Sequence, residues 1–471
     1  MTDLKISNEL REKALARPNI SILRIGEGDS HLEPFRGEAI LRTFSDFYQR
    51  HATVRYCTAS PSMLVEMGSV DLRHYNVLWL EGVSQMNVSQ KLYAIHDALM
   101  NEIEPNWRQI MGDMHKVDSM SAYKYMKELN ARRANEKLRI VYQLDEFVWE
   151  GVVGRMRDIH TVQVVESFMS IADVIVVPTP ELKEAITHYK LANDPEKDIQ
   201  VVLTGVGVEF CPLFRDPKRP SQNKVDQLKE KPRILVKGLT IPTNIDAFIC
   251  DNYKKMDITI SSVGEASEHL RGLISMGKVK HIYHWANPYV NKTNVYATWA
   301  LERDAGFDFV ILTKPDDLKG KMYEICSGDE DILFAAAYGA LPIAGYDHLG
   351  YDEEAHHLSI LCPTFGNDST PKSIREIIGT HQVWTKYAES YGKVRAAVEA
   401  RLVASPAIMG RYFAICIGPE LSMARSTLAA EKIETLEANE ASEATEATPK
   451  FNKMTPKNDE NIIVGNFSKE A

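Results

Sequence analysis

The residue types that could do chemistry in this chain fall at the ends of apolar runs. Asp145 and Glu146 follow the run Arg139–Leu144. Carboxylates there could take a proton from a hydroxyl or steady a positive carbon. Gly26 and Gly28 flank Glu27 after the run Ile20–Ile25, and His31 comes three residues later. The glycines would let a ligand approach the backbone, and the imidazole is a second acid/base candidate. Lys237 and Gly238 close the run Arg233–Val236, and Lys314 closes Phe309–Leu312, so each could set a cation against a phosphate. Glu330 and Asp331 open the apolar stretch Ile332–Tyr338. A helix starting there offers free amides to a phosphate and carboxylates to a ribose. Each group also has a plainer meaning: an exposed lysine beside a strand-end glycine, a polar loop histidine, or charges at a helix N-terminus. Asp329-Glu330-Asp331 spells a D-x-D, and Asp352-Glu353-Glu354 lies close to His356-His357. Both read more simply as solvated helix ends than as metal ligands, and no metal is expected.

The elements that must position these residues alternate. Strands are expected at Ile20–Ile25, Thr53–Cys57, Val77–Leu80, Arg139–Leu144, Val174–Val177 and Ile199–Leu203, and helices near 36–49, 160–171 and 181–189. Residues 89–137 have a helical pattern and carry the basic group Arg132, Arg133, Lys137 and Arg139. A polar stretch rich in Pro, Lys and Asp, 212–232, reads as an interdomain linker. A second series follows, with strands at Arg233–Val236, Ile258–Ser261, Val279–Tyr283, Phe309–Leu312, Leu341–Ala344 and Ser359–Leu361. Alternation of this kind predicts parallel sheets with helices on both faces, in two doubly wound α/β units that form a cleft between them. The divisions expected are 1–210, a linker at 211–232, 233–385, C-terminal helices at 386–430 packing back across both units, and a tail at 431–471. In that tail Glu431, Glu434, Glu437, Glu440, Glu443 and Glu446 recur every third residue, a period with no buried face, so it reads as disordered and acidic.

At 471 residues the chain has material for two or three domains. A formal charge of −10 argues against a generally basic nucleic-acid-binding surface. The cysteines, Cys57, Cys211, Cys250, Cys326, Cys362 and Cys416, form no CxxC pair and suit a reducing compartment. The N-terminus lacks an apolar signal core and no run is long enough to span a bilayer, so a cytoplasmic protein without integral membrane association is expected.

Several segments, in order, resemble a known family. ADVIVVPTPELKEAI followed by IQVVLTGVGVEFCPLF is similar to the strand, turn and hinge of nucleotide-sugar glycosyltransferases with the GT-B fold, particularly family 4. PRILVKGL resembles the first strand of the donor domain, and GALPIAG the strand after the donor-nucleotide helix. RIVYQLDEFVW resembles a segment of several bacterial and phage members, and the likeness spans most of 20–430. The chain departs from the pattern at the donor carboxylate pair, which would fall on Cys326 and Phe334. It departs again at the phosphate-binding Arg and Lys, which would fall on Leu239 and Asn244. Glu330 and Asp331, and Lys237 or Lys314, are the nearest replacements.

The resemblance implies two Rossmann-like domains and sugar transfer from a nucleotide-sugar cosubstrate to a hydroxyl, with a retaining outcome and no tightly bound cofactor. Gly26, Gly28, Lys237, Gly238, Lys314, Glu330 and Asp331 would then bind the donor, and Asp145, Glu146 and His31 would serve catalysis. Two acceptors stay open: a hydroxymethylated pyrimidine in phage DNA, which puts the protein in a host cytoplasm, or a glycan. A non-catalytic nucleotide-binding or scaffold protein is the competing class. A dinucleotide-dependent enzyme fits less well, because His31 stands where the third fingerprint glycine would be.

Overall fold

The computed structural model describes residues 7–26, 38–50, 52–59, 74–81, 138–145, 147–149, 162, 165–166, 168–169, 172–189, 197–202, 215–221, 226–238, 241–262, 267–283, 302–313, 330–345, 361–366, 369–401 and 406–430. It divides into a unit formed by the terminal segments, which includes α1 (Asn8–Leu15), and a larger unit, 17–419, that holds every described strand.

The first sheet is built from β1 (Asn19–Ile25), β2 (Thr53–Ala59), β3 (Val77–Glu81), β4 (Arg139–Gln143), β5 (Val174–Val177) and β6 (Asp198–Val201), in the order β2-β1-β3-β4-β5-β6. Every pairing is parallel. Alternation along β1 sends Ile20 and Ile22 into one core, and Leu23 and Ile25 into another on the opposite face. Helices α2 (Glu38–Tyr48) and α3 (Pro180–Tyr189) each contribute to one of these cores. Burial on both faces explains why these strands read as apolar runs rather than as alternating patterns.

The second sheet comprises β7 (Arg233–Gly238), β8 (Asp257–Ser262), β9 (Lys280–Tyr283), β10 (Phe309–Leu312), β11 (Leu341–Gly345) and β12 (Thr364–Phe365). Its order is β12-β11-β10-β7-β8-β9, again all parallel. Counted from β7 as strand one, this is 3-2-1-4-5-6, the order of dinucleotide-binding sheets. Helices α4 (Thr243–Asn252), α5 (Glu268–Ser275) and α7 (Pro371–His381) cover one face with Ile234, Val236, Ile258 and Ile260. Helices α6 (Glu330–Ala337) and α8 (Trp384–Ala400) cover the other with Leu235, Val310 and Leu312. Helix α6 is buried between sheet and α8, which is why Ile332–Ala337 is apolar all round.

The doubly wound expectation therefore holds for both sheets. The last strand differs. Leu361 lies in a helical turn, and β12 begins only after Pro363, whose carbonyl accepts the Ala344 amide at 3.0 Å. Proline can accept but not donate, so pairing starts there and remains a short edge. The described parts of 212–232 are docked: the Arg215 amide donates to Ala337 O, and the Leu228 amide to Gln382 O. Helix α9 (Pro406–Ile417) follows α8 closely in sequence but packs on the first sheet, through Met409, Tyr412 and Ile415. Segments 89–137 and 431–471 lie outside the described residues.

Candidate functional site

In a parallel sheet, ligands bind beyond the carboxyl ends of the strands, where the strand order reverses. In the second sheet that point lies between β7 and β10. Lys237, next to last in β7, lies on the same face as Leu235, beneath α6, and its ammonium is 4.6 Å from the Phe334 ring centre. It is 9% exposed. Its Nζ is 3.4 Å from Glu302 Oε2 and 3.7 Å from Asp331 Oδ1 in the first turn of α6. Glu302, fully buried in the helical turn before β10, also accepts from the Ser261 hydroxyl at 2.5 Å and the Tyr338 hydroxyl at 3.0 Å. Ser261 is the register partner of Lys237 on β8, so one carboxylate ties together two adjacent strands and the end of α6. Burial, and next the Glu302 carboxylate, push the Tyr338 phenol well above its ordinary value, keeping it a donor. The Lys237 charge is thus balanced inside the protein.

Gly238 has a packing reason to be glycine. A Cβ there would collide with the hydroxyl and carbonyl of Thr313, which continues the β10 ladder by donating its amide to Lys237 O at 2.9 Å. Helix α4 begins nearby in sequence with Pro242 as N-cap and no side-chain cap bond. Its first amides, and those of α6, can meet an anion.

In the first sheet the order reverses between β1 and β3. Arg24 on β1 and Glu81 at the end of β3 form a buried pair, Nε to Oε2 at 2.6 Å. Beside them the Trp79 indole donates to Gln143 Oε1 at 3.1 Å, and Gln143 Nε2 donates to Asp145 Oδ1 at 3.1 Å. Asp145, 6% exposed, is thus held by a directed amide. Gly26 follows β1, and a Cβ on it would sit 3.0 Å from the Arg24 guanidinium.

The fold thus gathers Lys237, Gly238, Asp331 and the α6 start at one strand-end edge, and Gly26 and Asp145 at the other sheet's edge. Gly28, His31, Glu146 and Lys314 lie outside the described residues, as does the side chain of Glu330. Of the basic group at 132–139, only Arg139 is described; its Nε donates to Ile415 O at 2.6 Å, closing the end of α9. Sequence reading missed Glu302, Ser261, Tyr338, Arg24, Glu81 and Gln143. Arg24 and Gln143 carried a usable signal, being polar residues inside otherwise apolar strands; Glu302 carried none. Among the described residues no group of His, Cys, Asp or Glu could hold a metal, and no helix is long and apolar enough to cross a membrane.

No protein-family model matches the chain, and no curated protein does. Solved structures similar to it include Anabaena Alr3699/HepE in complex with UDP-glucose, at 11% identity over 87% of this chain and 100% of that one, with a TM-score of 0.46. The lipopolysaccharide outer core galactosyltransferase WaaB is similar at 11% identity over 85% and 99%, with a TM-score of 0.42. An E. coli protein described as trehalose-6-phosphate, bound with UDP-2-fluoro glucose, is similar at 10% over 84% and 98%, with a TM-score of 0.38. At such values it is the strand orders, not the likenesses, that establish the two doubly wound sheets.

Proposed function

We propose that the protein transfers a sugar from a nucleotide-sugar donor to a hydroxyl acceptor, with retention of configuration. The observation that carries this reading is the second sheet, whose dinucleotide-type order sets Lys237, Gly238 and the start of α6 at its reversal point. The donor diphosphate would rest on the first amides of α4 and α6, with Lys237 adding a partly shared charge. Asp331, half exposed beside it, would accept from the ribose hydroxyls. With retention, the acceptor proton passes to the leaving diphosphate. Asp145 then orients the acceptor hydroxyl and offsets positive charge at the anomeric carbon. We favour a glycan acceptor in the cytoplasm over phage DNA, because the chain is acidic and Arg139 is engaged with α9. The roles of Gly26, Gly28, His31, Glu146, Lys314 and Glu330 are part of the same proposal.

The test is a thermal-shift screen against UDP-, GDP-, ADP- and CMP-sugars with hydrolysis followed in parallel. One nucleotide sugar should raise the midpoint by mass action and be slowly hydrolysed. Asp145→Asn should lower turnover by about 100-fold and leave the shift intact. Absence of any shift at millimolar donor would overturn the reading. A second reading, a nucleotide-binding or scaffold protein without turnover, is favoured by the neutralisation of Lys237 by Glu302. Binding without hydrolysis, indifferent to Asp145→Asn, would select it.

A further inference from the structure

Toward its carboxyl edge, one face of the first sheet changes from apolar to polar. Ile22, Val77 and Val141 give way along their strands to Arg24, Trp79 with Glu81, and Gln143 followed by Asp145. All five polar or amphipathic side chains are buried, and such groups are costly unless satisfied by directed partners. The indole N–H of Trp79 can only donate. Gln143 must therefore turn its oxygen to Trp79 and its NH2 to Asp145, as the two 3.1 Å contacts have it. Trp79 is itself fixed by stacking on Tyr412 of α9, with ring centres 5.6 Å apart and planes 13° apart. Glu81, the register partner of Gln143, is drawn to Arg24 instead. Asp145 Oδ1 is thereby committed as an acceptor to an amide whose own orientation is set by Trp79.

We propose that Gln143 is a positioning residue for sugar transfer: oriented by the Trp79 indole, its amide holds Asp145 through Oδ1 and so fixes the orientation of that side chain at the sheet edge. The inference rests on the proposed transferase reading. Its test compares Gln143→Met, Gln143→Leu, Trp79→Phe and Asp145→Asn in hydrolysis of the nucleotide sugar that wild type turns over. A second readout is the indole N–H resonance of Trp79 in the full-length protein, assigned by its loss in Trp79→Phe. Gln143→Met and Gln143→Leu should each lower kcat by about 100-fold with the donor KM within about twofold, since a misplaced group loses orientation rather than donor affinity. Trp79→Phe should lower kcat less, because the amide is then free to turn over. The Trp79 resonance should move upfield in both Gln143 variants and shift in Asp145→Asn, because linked hydrogen bonds polarise one another. The near-isosteric Met variant answers the question if the Leu variant fails to fold. Wild-type kcat in Gln143→Met alongside an impaired Asp145→Asn overturns the positioning role and leaves the transferase reading standing. An unmoved indole resonance in Gln143→Met overturns the relay whatever the substrate. Failure of wild type to hydrolyse any nucleotide sugar overturns the transferase reading, and the positioning role falls with it.

Discussion

At the scale of single residues, the most consequential group in the second sheet is Glu302. Its carboxylate, itself fully buried, holds Lys237, Ser261 and Tyr338 at once. Truncating one side of a buried ion pair leaves the other charge uncompensated, which costs about 3–5 kcal/mol. Glu302→Ala is expected to lower the urea-derived unfolding free energy by that amount. The double variant with Lys237→Met should recover most of the loss, because it removes both charges together. If the double variant is as unstable as the sum of the singles, the pair is not the unit of stabilisation. The same pair shows where sequence reading stops. Lys237 and Asp145 were legible because each ends an apolar run at a predictable edge. Glu302 was not, since it meets Lys237 across 65 residues of chain, and nothing local marks it as buried.

At the scale of elements, the end of α6 controls how the chain entering the second sheet is docked. Gly339 has φ +74°, its amide donates to Ala336 O, and the Ala340 amide reaches Ala335 O, the paired bonds of a glycine-terminated helix. Helix α8 adds two hydroxyl bonds there: the Tyr391 hydroxyl also donates to Ala336 O at 2.9 Å, and the Tyr387 hydroxyl donates to Gly339 O at 3.0 Å. The Arg215 carbonyl lies 2.8 Å from where a Gly339 Cβ would stand. Gly339→Ala should therefore combine a left-handed backbone penalty with displacement of the segment at 215–221, for a loss of about 1–3 kcal/mol. Urea unfolding measures the loss, and faster limited proteolysis near residue 215 reports the displacement. Unchanged stability would mean that the helix end relaxes without the glycine. The strands and α6 were readable because hydrophobic runs bounded by Gly and Pro report burial directly. The docking of 212–232 was not readable. Its contacts are made largely by backbone groups, such as Arg215 to Ala337 and Leu228 to Gln382, which composition does not register.

At the scale of the whole molecule, buried acids that gain protons on folding set an alkaline limit. The Tyr338 and Tyr387 phenols lie well above their ordinary value and that of Tyr391 is also raised, in each case mainly through burial. Burial likewise pushes the Cys416 thiol, in the α9 core on the first sheet, up to about 12 from 9.0. These groups belong to the cores of both sheets, so their titration bears on the entire fold. The sign follows from proton binding. Below the unfolded values, 9.0 for the thiol and 10.0 for the phenols, both states are protonated and stability is fully present. Above them the unfolded chain releases protons that the folded chain retains, so stability falls as pH rises. Cys416 alone should remove about 1.4 kcal/mol per pH unit between pH 9 and 12. Urea unfolding at pH 8, 9, 10 and 11 should show a decline that begins near 9 and steepens above 10 as the phenols join. In Cys416→Ala the decline between pH 9 and 10 should become shallower, the remainder coming from the Cys250 thiol of α4, which burial and Asp246 also push up to about 12. A flat profile to pH 11 would mean that these groups titrate in the folded state, which requires water to reach cores that the two sheets otherwise keep closed.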